Sequence, residues 1–193
     1  MIRTCALAAL LLVTGTALAA EIKDVELDGG VVVALSGGWN VDTKPNAAMS
    51  LPSMKDLIAG ASETRIKKGG TGVLVSFMHF NSDKPTPDST APDAVEAQAT
   101  LLRSTAGQYL RQSVEKEVSV TSLQNGPLSI AMATLTARDG QKFNVAPGYP
   151  GGCVTSATIK HGFAVHVISV ASKSCDAETH GEMVAAIAAA RST

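Results

Sequence analysis

The side chains able to do acid–base, nucleophilic or metal chemistry are few and scattered. The histidines are His79, His161, His166 and His180. No two have the four-residue spacing that sets a pair of zinc ligands on one helix face. His79 and His166 each sit in an apolar run that reads as a strand. If those strands are neighbours, both imidazoles meet one interior spot, and they form the sole candidate metal pair. The simpler reading is a strand histidine hydrogen-bonded in the core, so no metal and no cofactor are expected. His161 reads as a turn residue beside Gly162, and His180 as a helix-surface residue.

Nucleophile motifs fail on their surroundings. A hydrolase elbow needs Gly on both sides of its Ser at a strand-to-helix turn. Ser36 has Gly38 after it but Ala34 before it. Ser113-Val114-Glu115-Lys116 fits S-x-x-K, yet the chain contains no K-T-G partner. In Lys67-Lys68-Gly69-Gly70-Thr71-Gly72 the lysines precede the glycines, the reverse of a phosphate loop, and a hairpin turn explains the run. No catalytic residue is assigned. Two aromatics are candidates for ligand contact. Trp39, the single Trp, lines a pocket or plugs the core at a strand end. Tyr149 lies among Pro and Gly in a loop, where an exposed aromatic has room to act.

Cysteine usage and the N-terminus agree on an address. Arg3, the apolar run from Cys5 to Val13 and the small residues of Ala17-Leu18-Ala19 have the three-part layout of a secretory signal peptide. Residues 1–20 are therefore read as a leader and 21–193 as a single domain. The apolar run is short of the roughly 20 residues that a membrane span needs. Beyond the leader, Cys153 and Cys175 remain. In an oxidising compartment they have one intramolecular pairing available. That bridge closes a loop of about 23 residues and stabilises by roughly 3 kcal/mol on the chain-entropy account. Free thiols are one alternative and metal or redox chemistry another, though there is no C-x-x-C and Cys175 with His180 is an isolated pair rather than a four-ligand set.

Composition narrows the function classes. The 193 residues carry 16 basic and 17 acidic side chains. Losing Arg3 with the leader leaves 15 against 17, a net charge of −2. Such a balance does not fit a nucleic-acid binder. Aromatics make up 4%, too few for a base-stacking platform, while 45% hydrophobic residues allow a substantial core. No later stretch is apolar enough to cross a membrane as a helix.

The elements that must position these residues follow from spacing. Val25–Ser36 reads as extended and turns at Asp28-Gly29-Gly30. Residues 40–61 are mixed, with a short helix possible over Met54–Ala59. Glu63–Lys68 alternates weakly and turns at Gly69-Gly70 into the strand Gly72–Phe80. Pro85, Pro87 and Pro92 mark a loop. Val95, Ala99, Leu102, Ala106, Tyr109, Ser113 and Glu117 recur at helical spacing, an amphipathic helix of about six turns starting near Asp93. Strands are expected at Val118–Leu123, Leu128–Ala137, Val154–Lys160 and Phe163–Ser172. Turns fall at Asn125-Gly126 and His161-Gly162. A helix over Asp176–Arg191 closes the chain, capped by Asp176 and ended by Arg191.

Strand faces suggest the architecture. Gly72–Phe80 and Phe163–Ser172 are apolar on both faces, which predicts central strands covered on both sides. Val154–Lys160 alternates and reads as nearer an edge. The expected fold is α+β, a mostly antiparallel sheet with helices packed on both faces. A half-open sheet with one ligand-binding face is the alternative.

This layout resembles the PsbP-like group, which includes photosystem extrinsic proteins, a Ran-binding nuclear import factor and periplasmic proteins of the DcrB type. The resemblance is carried by Val31-Val32-Val33-Ala34-Leu35-Ser36-Gly37-Gly38-Trp39, by Val73–Phe80 before a loop and long helix, and by the closing hairpin Val154–Ser172 with its terminal helix. It implies a PsbP-like sandwich and a binding or accessory role, with no catalytic residues. The expected function is thus an exported, periplasmic or secreted protein that binds a cell-envelope protein or a small apolar ligand, without nucleic acid. The alternative is a small exported hydrolase or metal-dependent enzyme built around His79 and His166.

Overall fold

The computed structural model describes residues 21–46, 58–81, 92–146 and 149–193, with the side chains of 92–94, 146, 149 and 150 outside the description. The leader expected at 1–20, most of the helix expected at Met54–Ala59, and the proline-marked loop before residue 92 lie outside the described residues.

The chain opens with the hairpin β1 (Ile22–Leu27) and β2 (Val31–Ser36), followed by β3 (Asn40–Pro45), β4 (Ile58–Lys68) and β5 (Thr71–Phe80). Helix α1 (Pro92–Gly107) and a 3-10 turn (Leu110–Gln112) lead to β6 (Thr121–Asn125), β7 (Leu128–Thr136), β8 (Phe143–Ala146) and β9 (Tyr149–Gly151). The hairpin β10 (Cys153–His161) and β11 (Ala164–Ser172), helix α2 (Glu178–Ala188) and β12 (Arg191–Ser192) complete it. Among the described residues, no helix is long and apolar enough to cross a membrane.

Seven strands form one antiparallel sheet in the order β3-β4-β5-β11-β10-β7-β6, and β1-β2-β12 form a second, three-stranded sheet. Val25, Leu27, Val31, Val33 and Leu35 of the small sheet share a core with Val73, Val75, Ile130, Ile159, Ile168 and Val170 of the large one. Met183 and Ile187 of α2 enter the same core. β-branched residues dominate these inner positions because they pack well on a pleated surface and lose little freedom there. On the opposite face, Leu102 and Ala106 of α1 meet Ala131, Ala133 and Leu135 of β7 and Val154 of β10. Small residues on β7 let the helix lie close to the sheet.

The expected α+β class is corrected. Among the described residues strand makes up 55% and helix 19%, so this is a β-rich sandwich of two sheets. A second sheet supplies much of the cover that helices were expected to supply, and each of the two described helices spans only part of a face. The reason lies at the ends of the chain: β12 pairs with β2 across nearly the whole sequence and completes the second sheet. No local spacing encodes that pairing.

Three further expectations change. β10 is not near an edge; it lies between β11 and β7 and is buried along almost its whole length. Its Ser156, Thr158 and Lys160 are buried polar residues, so alternation misled. The long helix stops at Gly107 rather than running to Glu117. There Ser113 bridges Ala137, and the Val114 N–H donates to the Thr136 carbonyl at 2.9 Å. Those cross-chain bonds outcompete continued helical periodicity. Finally, α2 starts without a side-chain cap, with Ala177 at the N-cap position, and Arg191 has left the helix for β12, where its guanidinium donates to Asp24 at 2.5 Å.

β5 and β11 are neighbours in the middle of the sheet, but they are not equally shielded on both sides. Val73, Val75, Phe77, Ile168 and Val170 are buried on the inner face. Leu74, Met78 and Phe80 of β5 and Val165 and Val167 of β11 are only half-buried on the outer one.

Candidate functional site

His79 and His166 do share a face, because β5 and β11 pair with Ala164 opposite His79 and His166 opposite Phe77. They do not share a site. The Phe77 ring lies 5.1 Å from the His166 ring and 6.5 Å from the His79 ring. His166 is fully buried while His79 is exposed. Both His166 nitrogens face backbone carbonyls, Asp28 O at 2.7 Å and Ile159 O at 3.4 Å. Burial lowers the His166 pKa against the pull of those carbonyls and the Asp28 carboxylate. A neutral ring donates once, and the shorter contact assigns that proton to Nε2. Among the described residues, no group of three or more His, Cys, Asp or Glu is placed to hold a metal.

This histidine anchors a turn. Asp28 opens the β1–β2 connection, and its carboxylate accepts the Ser62 hydroxyl while its carbonyl takes His166 Nε2–H. The next carbonyl, of Gly29, faces His161 Nδ1 at 3.0 Å. Gly29 has φ +78°, and a Cβ there would stand 2.7 Å from Phe77 Cε2. Only glycine combines that backbone with that closeness. The arrangement is a seam that fastens the small sheet to the large one.

A second cluster forms around Trp39, which is half-buried against the core. Its indole N–H donates to Glu182 at 2.9 Å, the Ser36 N–H donates to the same carboxylate at 2.7 Å, and Lys68 Nζ donates to it at 3.2 Å. Lys68 also donates to Ser36 Oγ at 2.5 Å and stands 5.6 Å from the centre of the indole. Burial pushes the Glu182 carboxyl up, but the donors from Ser36, Trp39 and Lys68 outweigh it and bring its pKa to about 2. An adjoining cleft of about 390 Å³ is lined by Ser36, Lys68, Glu178, Thr179 and Glu182. Every charge in the Lys68–Glu182 pair is matched, so the cluster reads as a clamp between the end of β2, the β4–β5 turn and α2.

Cys153 and Cys175 are bonded to each other. Beside them His180, expected on a helix surface, is 98% removed from solvent at 2% exposure. The cause is α2 packing on β11, which turns His180 inward onto Thr155 at 2.9 Å and Ser172 at 2.8 Å. Burial lowers its pKa. Ser113 of the S-x-x-K run is fully buried, and its hydroxyl is engaged by Glu115 and the Thr136 carbonyl. Tyr149 opens β9, but its side chain lies outside the described residues.

The remaining feature is the outer face of the large sheet. α1 covers β7 and β10, and the β9 strand reaches β11 near Ala171. Between them Leu74, Met78 and Phe80 share a half-buried face with Val165 and Val167, with Ser76 opposite Val167 and Ser169 opposite Leu74. On its far side β4 presents Glu63 and Arg65, ion-paired at 2.8 Å. Nothing in the spacing of either strand distinguishes this face from the buried one. No family model, curated protein or solved structure matches the chain.

Proposed function

We propose that this chain is an exported binding protein of the cell envelope, without catalysis of its own, and that the outer sheet face holds a small apolar ligand. The carrying observation is the strip of Leu74, Met78, Phe80, Val165 and Val167, half-buried on strands whose other sides are closed. A patch only two strands wide, with Ser76 and Ser169 among its apolar side chains, suits a small apolar molecule better than a broad protein interface. The leader-like layout of residues 1–20 and the cystine support export to the periplasm or beyond.

The test is titration with N-phenyl-1-naphthylamine, an apolar probe that brightens on leaving water. Wild type should bind saturably, and Val167→Glu should abolish binding with an unchanged circular dichroism spectrum. Absence of saturation, or undiminished binding by the variant, refutes the reading. A stoichiometric envelope protein captured without any probe binding would move the function to protein contact.

A further inference from the structure

We propose that His180 is the base that closes the Cys153–Cys175 bridge, taking the Cys153 proton while Cys175 carries the incoming oxidant. A chain of hydrogen bonds leaves His180 Nε2 unprotonated, its lone pair shared between the Thr155 hydroxyl and one sulfur.

The chain runs as follows from the surface inward. The Ser172 hydroxyl donates its only proton to the Ser174 carbonyl at 2.7 Å. Toward His180 Nδ1, 2.8 Å away, Ser172 Oγ therefore accepts, which assigns the ring proton to Nδ1. Nε2 of the neutral ring keeps its lone pair. Thr155 donates to it at 2.9 Å and in turn accepts from Thr134 at 2.7 Å. The same Nε2 stands 3.4 Å from Cys153 Sγ. In the cystine that sulfur has no proton, so the contact is idle. In the dithiol, a Cys153 S–H faces a proton acceptor already oriented by two serine and threonine networks.

The two sulfurs differ in access. Cys153 is 0% exposed at the start of β10, whereas Cys175 is half-buried in the β11–α2 connection. An external disulfide therefore meets Cys175 first. The Cys175 thiolate attacks it, one thiolate leaves, and a mixed disulfide forms on Cys175. Cys153 then passes its proton to His180 Nε2, and its thiolate attacks the Cys175 sulfur. The bond between Cys175 and the external group breaks, and the second external thiolate leaves, to be protonated at the expense of the imidazolium. Two protein thiols lose two electrons and one external disulfide becomes two thiols. Without a base, a buried thiol is held protonated and inert.

Among the described residues, the groups facing the imidazole are Cys153 and Thr155 from β10 and Ser172 from β11, none carrying charge. β2, also packed on α2, brings no titratable side chain. On α2 itself the charges are Glu178, which is exposed, and Glu182, which is engaged by Lys68.

The experiment uses the reduced chain and glutathione disulfide, at concentrations where closure no longer depends on the oxidant. Samples are quenched in acid, alkylated and weighed. Wild type should close at a rate nearly flat with pH between neutral and mildly alkaline, because the proton goes to His180. A thiol without a base would instead gain about tenfold per pH unit below its ordinary pKa of about 8.5. His180→Gln should close about 100-fold more slowly, accumulate the glutathione adduct on Cys175 and acquire that steep pH dependence. Wild-type closure by His180→Gln, an adduct on Cys153, or a steep wild-type profile would each overturn the proposal. If His180→Gln fails to fold, the wild-type profile and the adduct position decide.

Discussion

Replacing Glu182 by Gln removes one negative charge from the Trp39 clamp while keeping its size. The carboxylate accepts from Ser36 N, Trp39 Nε1 and Lys68 Nζ, and its pKa stands near 2 instead of 4.5. A depression of that size corresponds to about 3 kcal/mol if fully expressed. The Glu182 side chain retains 23% of its exposure and Lys68 27%, so water screens part of it. We expect a loss of about 1–2 kcal/mol at neutral pH. For a chain of this size that moves the thermal midpoint by roughly 2–8 °C. The sign with pH is set by the lowered folded pKa. Unfolded Glu182 binds protons from about pH 4.5 downward, whereas the folded group resists them until about pH 2. The stabilisation is therefore complete above about 4.5 and disappears as pH falls through about 2. Trp39 is the single Trp, so its fluorescence reports unfolding from within the clamp itself. Urea titrations of wild type and Glu182→Gln should diverge at neutral pH and converge as the pH approaches 2. Equal midpoints at neutral pH, or a gap that persists at the acid end, would refute the reasoning.

Other outcomes follow from the same geometry. Gly29→Ala places a Cβ 2.7 Å from Phe77 Cε2 at φ +78°, and should cost about 1–3 kcal/mol in denaturant melts; a cost under a few tenths would contradict the seam. Ile168→Ala, at 1% exposure in the shared core, should cost about 2–5 kcal/mol, read by calorimetry. His166 and His180 both have pKa values lowered by burial, so the unfolded chain takes up protons first as pH drops below about 6.5. Stability should decline from there, and a flat profile between neutrality and pH 5 would count against buried neutral imidazoles. Reducing the cystine should cost roughly 3 kcal/mol by loop entropy, measured as the urea midpoint with and without reductant.

Much of the layout is legible without coordinates because it is local. The turns at Gly29, Gly69, Gly126 and Gly162 all show positive φ, and each joins the two strands that the flanking residues predict. The Cys153–Cys175 pairing expected from the sequence is also the one the structure holds. Where local pattern met competition, it lost. Ser113 was drawn out of a helical stripe by Ala137, and polar Thr158 and Lys160 were buried in mid-sheet.

The clamp and the cystine neighbourhood had no sequence signal at all. Lys68 and Glu182 are 114 positions apart, and Cys153 and His180 are 27 apart across two elements. Which face of β5 and β11 closes is likewise invisible, since both faces carry similar apolar residues. Spacing along the chain determines turns and periodicity, because each depends on a few adjacent dihedrals. The tertiary structure decides strand order, the second sheet and every polar cluster, because those depend on which distant surfaces exclude water together.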